Sequence, residues 1–209
     1  MGPFLDSVAK SLTKAKEDSN AFLKHYGDFT AFLHRQEFDL FLRKDALLFW
    51  DPSGQYLTFS DKDHWADKHP FNFPGPFYSG ESDTCGTGVW CAPDNVMNDS
   101  YCFEYIFRQP ASYYELLCTV EAATTEFFES YSSNGNDHWT HQACKEWWRN
   151  KEDLLVDLTR AEVAKMNNGQ AQLYSNYLRG EAETDLRRYC YFLENGEYPR
   201  EGNAALPTL

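Results

Sequence analysis

Three groups of residues carry side chains and spacings that could do chemistry. His138, His141 and Cys144 recur every third position in a stretch with helical character. That spacing puts them on one face and offers two nitrogens and a sulfur to a metal such as zinc, with Asp137 placed to support a ligating histidine. It matches no established zinc pattern. The competing reading has both histidines at a partly exposed helix start and Cys144 packed inward beside Trp147 and Trp148. The second group is the string Asp83-Thr84-Cys85-Gly86-Thr87-Gly88. Its glycines would let the backbone expose Cys85 and aim amides at an oxyanion, with His138 or His141 as the base of a cysteine hydrolase. Against this, Glu81, Asp83 and Asp94 put negative charge around the thiol, which disfavours the thiolate and favours a purely structural turn. Asp61, Asp63, His64, Asp67 and His69 form the third group, an oxygen-rich loop. Ala66 and Asn72 stand where an EF-hand needs glycine and glutamate, so solvated charges are the better reading.

Other routes to a cofactor are not evident. Cys85, Cys91 and Cys102 lack paired C-x-x-C spacing, and no phosphate loop, dinucleotide fingerprint or G-x-S-x-G elbow occurs. No cofactor is therefore expected. The six cysteines, irregularly spaced in a chain of 209 residues, read as reduced thiols, most of them in the core.

The elements that must position these groups predict an α+β fold. Phe4, Leu5, Val8 and Leu12, then Phe22, Leu23 and Tyr26, follow helical spacing up to Gly27. Asp28 can cap a second helix through Phe29, Phe32, Leu33 and Leu40, giving a helical hairpin over residues 1–45. Ala46–Trp50 and Gln55–Phe59, joined by Asp51-Pro52-Ser53-Gly54, read as a β-hairpin. Tyr101–Gln109 is the strongest strand signal, with Asn95-Val96-Met97 placed to pair with it. The expected architecture is one domain over 1–209, with a small, mainly antiparallel sheet of three or four strands from 46–60 and 95–109. Helices from both ends pack against it. Ser112-x-x-Glu115 is a capping-box pattern opening a helix that should cover the sheet. Thr140 and Asn150 begin further helical runs to 196, and 197–209 read as a tail.

Charge supplies the functional expectation. Residues 1–60 carry seven Lys/Arg against eight Asp/Glu and residues 141–209 nine against eleven. Residues 61–140 carry only Lys62, Lys68 and Arg108 against thirteen acids, which accounts for most of the net charge of −13. A field of that sign repels nucleic acid and anionic lipid and speeds encounter with basic surfaces. The acidic segment also contains the longest irregular stretch, Ser60–Asp94, rich in aromatics that argue against disorder. The favoured expectation is an acidic protein-binding inhibitor, of the kind represented by bacterial immunity proteins and antitoxins, that neutralises a basic toxin or enzyme. Glu81, Asp83 and Asp94 would supply charge and Trp65, Tyr78 and Trp90 would insert into the partner. The competing reading folds that loop onto its own aromatics. The alternative class is a metal-dependent or cysteine-based hydrolase using His138 and His141 with Cys85 or Cys144. With no signal peptide and no membrane-length apolar run, the expected location is the cytoplasm.

Overall fold

The computed structural model describes residues 3–54, 59, 62–199 and 205–209. Helix α1 (Pro3–Tyr26) ends at Gly27, whose left-handed φ of 76° favours a residue without a Cβ. Asp28 then caps α2 (Phe29–Leu33), its carboxylate accepting from the Ala31 amide at 2.9 Å. The second arm of the expected hairpin is broken early. Glu37 takes a left-handed backbone (φ 52°) and redirects the chain into α3 (Phe38–Phe41), a π-helical turn (Leu42–Ala46) and α4 (Leu47–Trp50).

Ala46–Trp50 is therefore helical, where the sequence suggested a strand. Phe38, Leu42 and Ala46, four residues apart, are all buried, so the apolar run continues a helical face that starts upstream. The Asp51–Gly54 turn does form, with the Gly54 amide donating to the Asp51 carbonyl at 2.9 Å, but it follows a helix. The other expected strand, Gln55–Phe59, lies outside the described residues except for Phe59, whose ring packs 5.8 Å from that of Phe77.

Four short strands occur among the described residues, in two antiparallel pairs instead of one sheet. β1 (Tyr78–Ser79) pairs with β4 (Tyr131–Ser132). β2 (Val96–Asn98) and β3 (Glu104–Ile106) form the hairpin expected around residue 100, in the register Val96↔Ile106, Met97↔Tyr105 and Asn98↔Glu104. Between β1 and β3 stands the buried side chain of Asn72. It accepts from the amides of Ser79 (3.1 Å) and Ile106 (2.9 Å) and donates to the Ser79 carbonyl (2.8 Å). One side chain thus satisfies backbone groups that a third strand would otherwise have paired.

The β2–β3 hairpin is buried on both faces. Val96 and Ile106 enter one core with α5 (Gly88–Cys91), α6 (Tyr113–Thr125) and the N-terminal helices. Met97 and Tyr105 enter a second core. That core is built with α8 (His141–Arg149), α9 (Lys151–Asp157), α10 (Ala161–Met166), α11 (Gln170–Arg179) and α12 (Ala182–Asn195). Helix α6, expected over the sheet, packs on α1 and α5. Its predicted cap is present, the Glu115 amide donating to Ser112 Oγ at 3.2 Å, as is the Thr140 cap of α8. A short α7 (Gly135–His138) precedes α8. Residues 205–209 dock on α12 and α8, where Arg187 donates to the carbonyls of Leu206 and Pro207. The result is a small α+β protein with helices distributed along the chain, and no described helix is long and apolar enough to cross a membrane.

Candidate protein-interaction surface

Among the described acids of residues 61–140, Asp83, Asp99, Glu104 and Glu126 point inward and are buried. A buried carboxylate is costly unless its oxygens are hydrogen-bonded, and here each is used to fix a loop. The Asp83 amide donates to Glu126 Oε1 at 2.8 Å, while the Phe127 amide donates back to Asp83 Oδ2 at 3.1 Å. The remaining oxygens hold their own loops, Asp83 Oδ1 accepting from the Cys85 amide (2.7 Å) and Glu126 Oε2 from the Ser130 amide (2.8 Å). Beneath them Glu104 accepts from the Gly88 amide (2.7 Å) and the Tyr131 hydroxyl (2.6 Å). Burial pushes the Glu104 carboxyl up to about 7, against the two hydrogen bonds that favour its ionised form, and the nearby charges of Asp83 and Glu126 add to the rise. Gly88 is required here: a Cβ would lie 2.4 Å from Glu104 Oε2 and 2.6 Å from the Tyr131 hydroxyl.

These braces hold segments 80–88 and 126–130 side by side, continuing β1 and β4 through the Gly80 amide and the Ser130 carbonyl (2.8 Å). Their outer side carries Phe127, 84% exposed, and Phe128, 56% exposed, with ring centroids 6.1 Å apart. Exposed carboxylates lie on the same segments. Glu81 follows Gly80, and Glu129, at a left-handed φ of 57°, forms an ion pair with Lys62 at 3.0 Å. Asp67 Oδ2 lies 3.1 Å from the position of a Cβ on Gly80. Trp90, 49% exposed, adjoins Cys91, whose thiol meets the Thr125 hydroxyl at 3.5 Å just before the Phe127 loop. A pair of exposed aromatic rings on a braced backbone, beside carboxylates, is what a preformed protein-docking patch requires.

The residues singled out from the sequence fall into three environments. Glu81, Trp90 and Asp94 are exposed, although the Asp94 carbonyl also accepts from Arg108 Nε at 3.3 Å. Asp83 is a brace. Tyr78 is fully buried, its hydroxyl between two acceptors, Asn134 Oδ1 at 2.7 Å and Asp63 Oδ1 at 3.0 Å, and Trp65 is half-buried, stacked on His138 at 4.8 Å. These two rings make internal contacts.

The possible metal and catalytic residues are kept apart, each with its own partners. His138 Nε2 lies 3.1 Å from Asp63 Oδ2. His141 meets Glu194 at 2.6 Å and donates to the Thr208 carbonyl at 2.9 Å. Although burial pulls the His141 pKa down, those bonds hold it above the usual value. Cys144 is fully buried against Cys190, and burial pushes its thiol pKa far up. No group of three His, Cys, Asp or Glu among the described residues is arranged to hold a metal. Of the oxygen-rich loop, Asp61 lies outside the described residues, while His69 pairs with Asp99 (3.3 Å) and His64 with Asp67 (3.4 Å). Cys85 is exposed, and its hydrogen bond to Asp83 together with that carboxylate's charge raises its pKa, which opposes thiolate chemistry.

Sequence reasoning missed both rings: Phe127 continues the apolar spacing of α6 and so reads as part of that helix, and nothing in the spacing singles out Phe128. No local signal separates them from it: α6 ends at Glu126, which takes an extended backbone and bonds to the 83 segment. No family, curated protein or solved structure matches this chain.

Proposed function

We propose that this chain is a protein-binding inhibitor that docks on a basic partner through the Phe127–Phe128 patch, in the manner of an immunity protein or antitoxin. The observation that carries the reading is the reciprocal Asp83–Glu126 brace, which commits two buried carboxylates to holding two phenylalanines in solvent. Preorganisation of that kind lowers the ordering cost of association and is of no use to an isolated surface loop. Glu81 adds negative charge beside the rings, which steers a cationic partner and makes association salt-dependent, while Glu129 is offset by Lys62 until a partner's own cation competes for it. Trp90 adjoins the patch through Cys91 and Thr125, Asp94 stands apart from it beside Arg108, and Asp83 acts by shaping it. Such an inhibitor works by occlusion and needs no catalytic group of its own.

The test is affinity capture from the source cells with the wild-type chain, followed by assay of the captured protein's own activity with and without the inhibitor. Phe127→Ala/Phe128→Ala should weaken binding by at least about 2 kcal/mol. Its thermal stability should stay within about 0.5 kcal/mol per site of the wild type, because both rings are exposed. Glu81→Lys/Glu129→Lys should slow association and flatten its dependence on salt. A partner bound equally well by both double variants would exclude this surface.

A further inference from the structure

We propose that the cleft between the Trp65–Phe71 segment and helices α8 and α9 is a binding site for a small monocarboxylate carried on an aromatic or apolar body. The cleft has a volume of about 500 Å³, within the range that accommodates small organic ligands, and Trp65, Phe71, Trp139 and Trp147 form its walls. It lies apart from the Phe127–Phe128 patch and does not depend on the inhibitor reading.

Its charged groups are Lys68 and Lys151, Glu146 and Asp153, and of these Lys68 is the one set among the rings. Lys68 places its ammonium 4.9 Å from the centre of the Trp65 ring and 5.3 Å from that of Trp139. No carboxylate among the described residues comes within ion-pair distance of it, in a chain where acids outnumber bases by thirteen. The other lysine at the cleft, Lys151, is already engaged, 4.4 Å over the Trp148 ring and 3.8 Å from Glu152. Trp139 is buried, and its indole N–H has no acceptor. A buried donor without a partner is uncommon and calls for an explanation. The Lys68 ammonium is the complement of a carboxylate, and the indole N–H on the adjoining Trp139 is a further donor that a ligand oxygen would satisfy.

The walls set the rest of the ligand. Three indoles and a phenyl ring favour a flat apolar body. Glu146 and Asp153 also line the cleft and would repel polyanions, so nucleotides and polyphosphates are disfavoured against a single carboxylate. Burial lowers the pKa of Lys68, and a carboxylate bound beside it would oppose that shift by favouring the charged ammonium.

Calorimetric titration of the full chain with phenylacetate and indole-3-acetate tests this, with 2-phenylethanol and phenethylamine as neutral and cationic comparators. Both acids should bind saturably at one site, and each comparator should bind at least about tenfold more weakly. Lys68→Met should weaken phenylacetate by about tenfold or more, Lys68→Arg should restore most of it, and Trp139→Phe, which keeps a ring and removes the N–H, should weaken it several-fold. If Lys68→Met does not fold, Trp139→Phe carries the same test. Absence of saturable acid binding at millimolar concentration, equal binding of the amine, or full affinity in the variants that fold would overturn the assignment.

Discussion

Glu104→Gln isolates the electrostatic cost of the brace. Glu104 is fully buried and its carboxyl is raised from an ordinary 4.5 to about 7. The folded chain therefore keeps a proton that the unfolded chain has lost between those values. Because the native state binds more protons there, the stability from this group is fully present below pH 4.5 and is lost as pH rises through about 7. At about 1.4 kcal/mol per pH unit the window is worth about 3 kcal/mol, or a difference of roughly 6 to 12 °C in Tm for a chain of this size. Glutamine can still accept from the Gly88 amide but must present an N–H to the Tyr131 hydroxyl, a constant penalty of about 1 kcal/mol. Other groups also titrate: burial lowers His34 to about 4, and His141 is raised. The quantity to measure is therefore the difference in unfolding free energy between wild type and Glu104→Gln, by urea denaturation at half-unit steps from pH 4.5 to 8. It should move in favour of the variant by about 3 kcal/mol across the range. Parallel curves, a constant offset with no change of slope, would show that Glu104 is ionised in the folded chain and that burial does not set its charge.

Three further outcomes follow from the same geometry. Gly88→Ala drives a methyl group into the Glu104 carboxylate and the Tyr131 hydroxyl and should cost about 2 kcal/mol in urea unfolding. A loss below about 0.5 kcal/mol would mean the contact relaxes freely. Asn72→Ala leaves the buried amides of Ser79 and Ile106 without their side-chain acceptor and should cost at least about 3 kcal/mol. Hydrogen exchange should show faster exchange at those two amides first. Cys85 should react with iodoacetamide at pH 8 several-fold more slowly than free cysteine, because Asp83 holds its proton. A faster reaction would revive a thiol-based role.

Local signals were the readable part of this sequence. Asp28, Ser112 and Thr140 cap the helices they were expected to cap, and Gly196 closes α12 at a φ of 74°. The hairpin around residue 100 was legible because it is dense in aromatic and branched residues. Ala46–Trp50 was not, since five apolar residues fit a strand or a buried helix equally well and only the spacing from Phe38 decides. The division of the strands into two pairs depends on Asn72, whose part is played by a side chain far along the chain from the strand it serves. Formal charge was legible and its disposition was not: nothing local distinguishes Asp83 and Glu126, turned inward, from Glu81 and Glu129 on the same segments. The long-range bonds between residues 83 and 126 make that choice.

The brace reaches the aromatic patch through the amide of Phe127 and not through its ring. Frame and contact chemistry are therefore separable in inheritance. Asp83 with Glu126, and Gly88 with Glu104, should be kept or lost together, whereas positions 127 and 128 are free to vary without disturbing the loop that carries them. A lineage could retarget such a surface by exchanging two side chains, keeping its architecture while the partner it answers to changes.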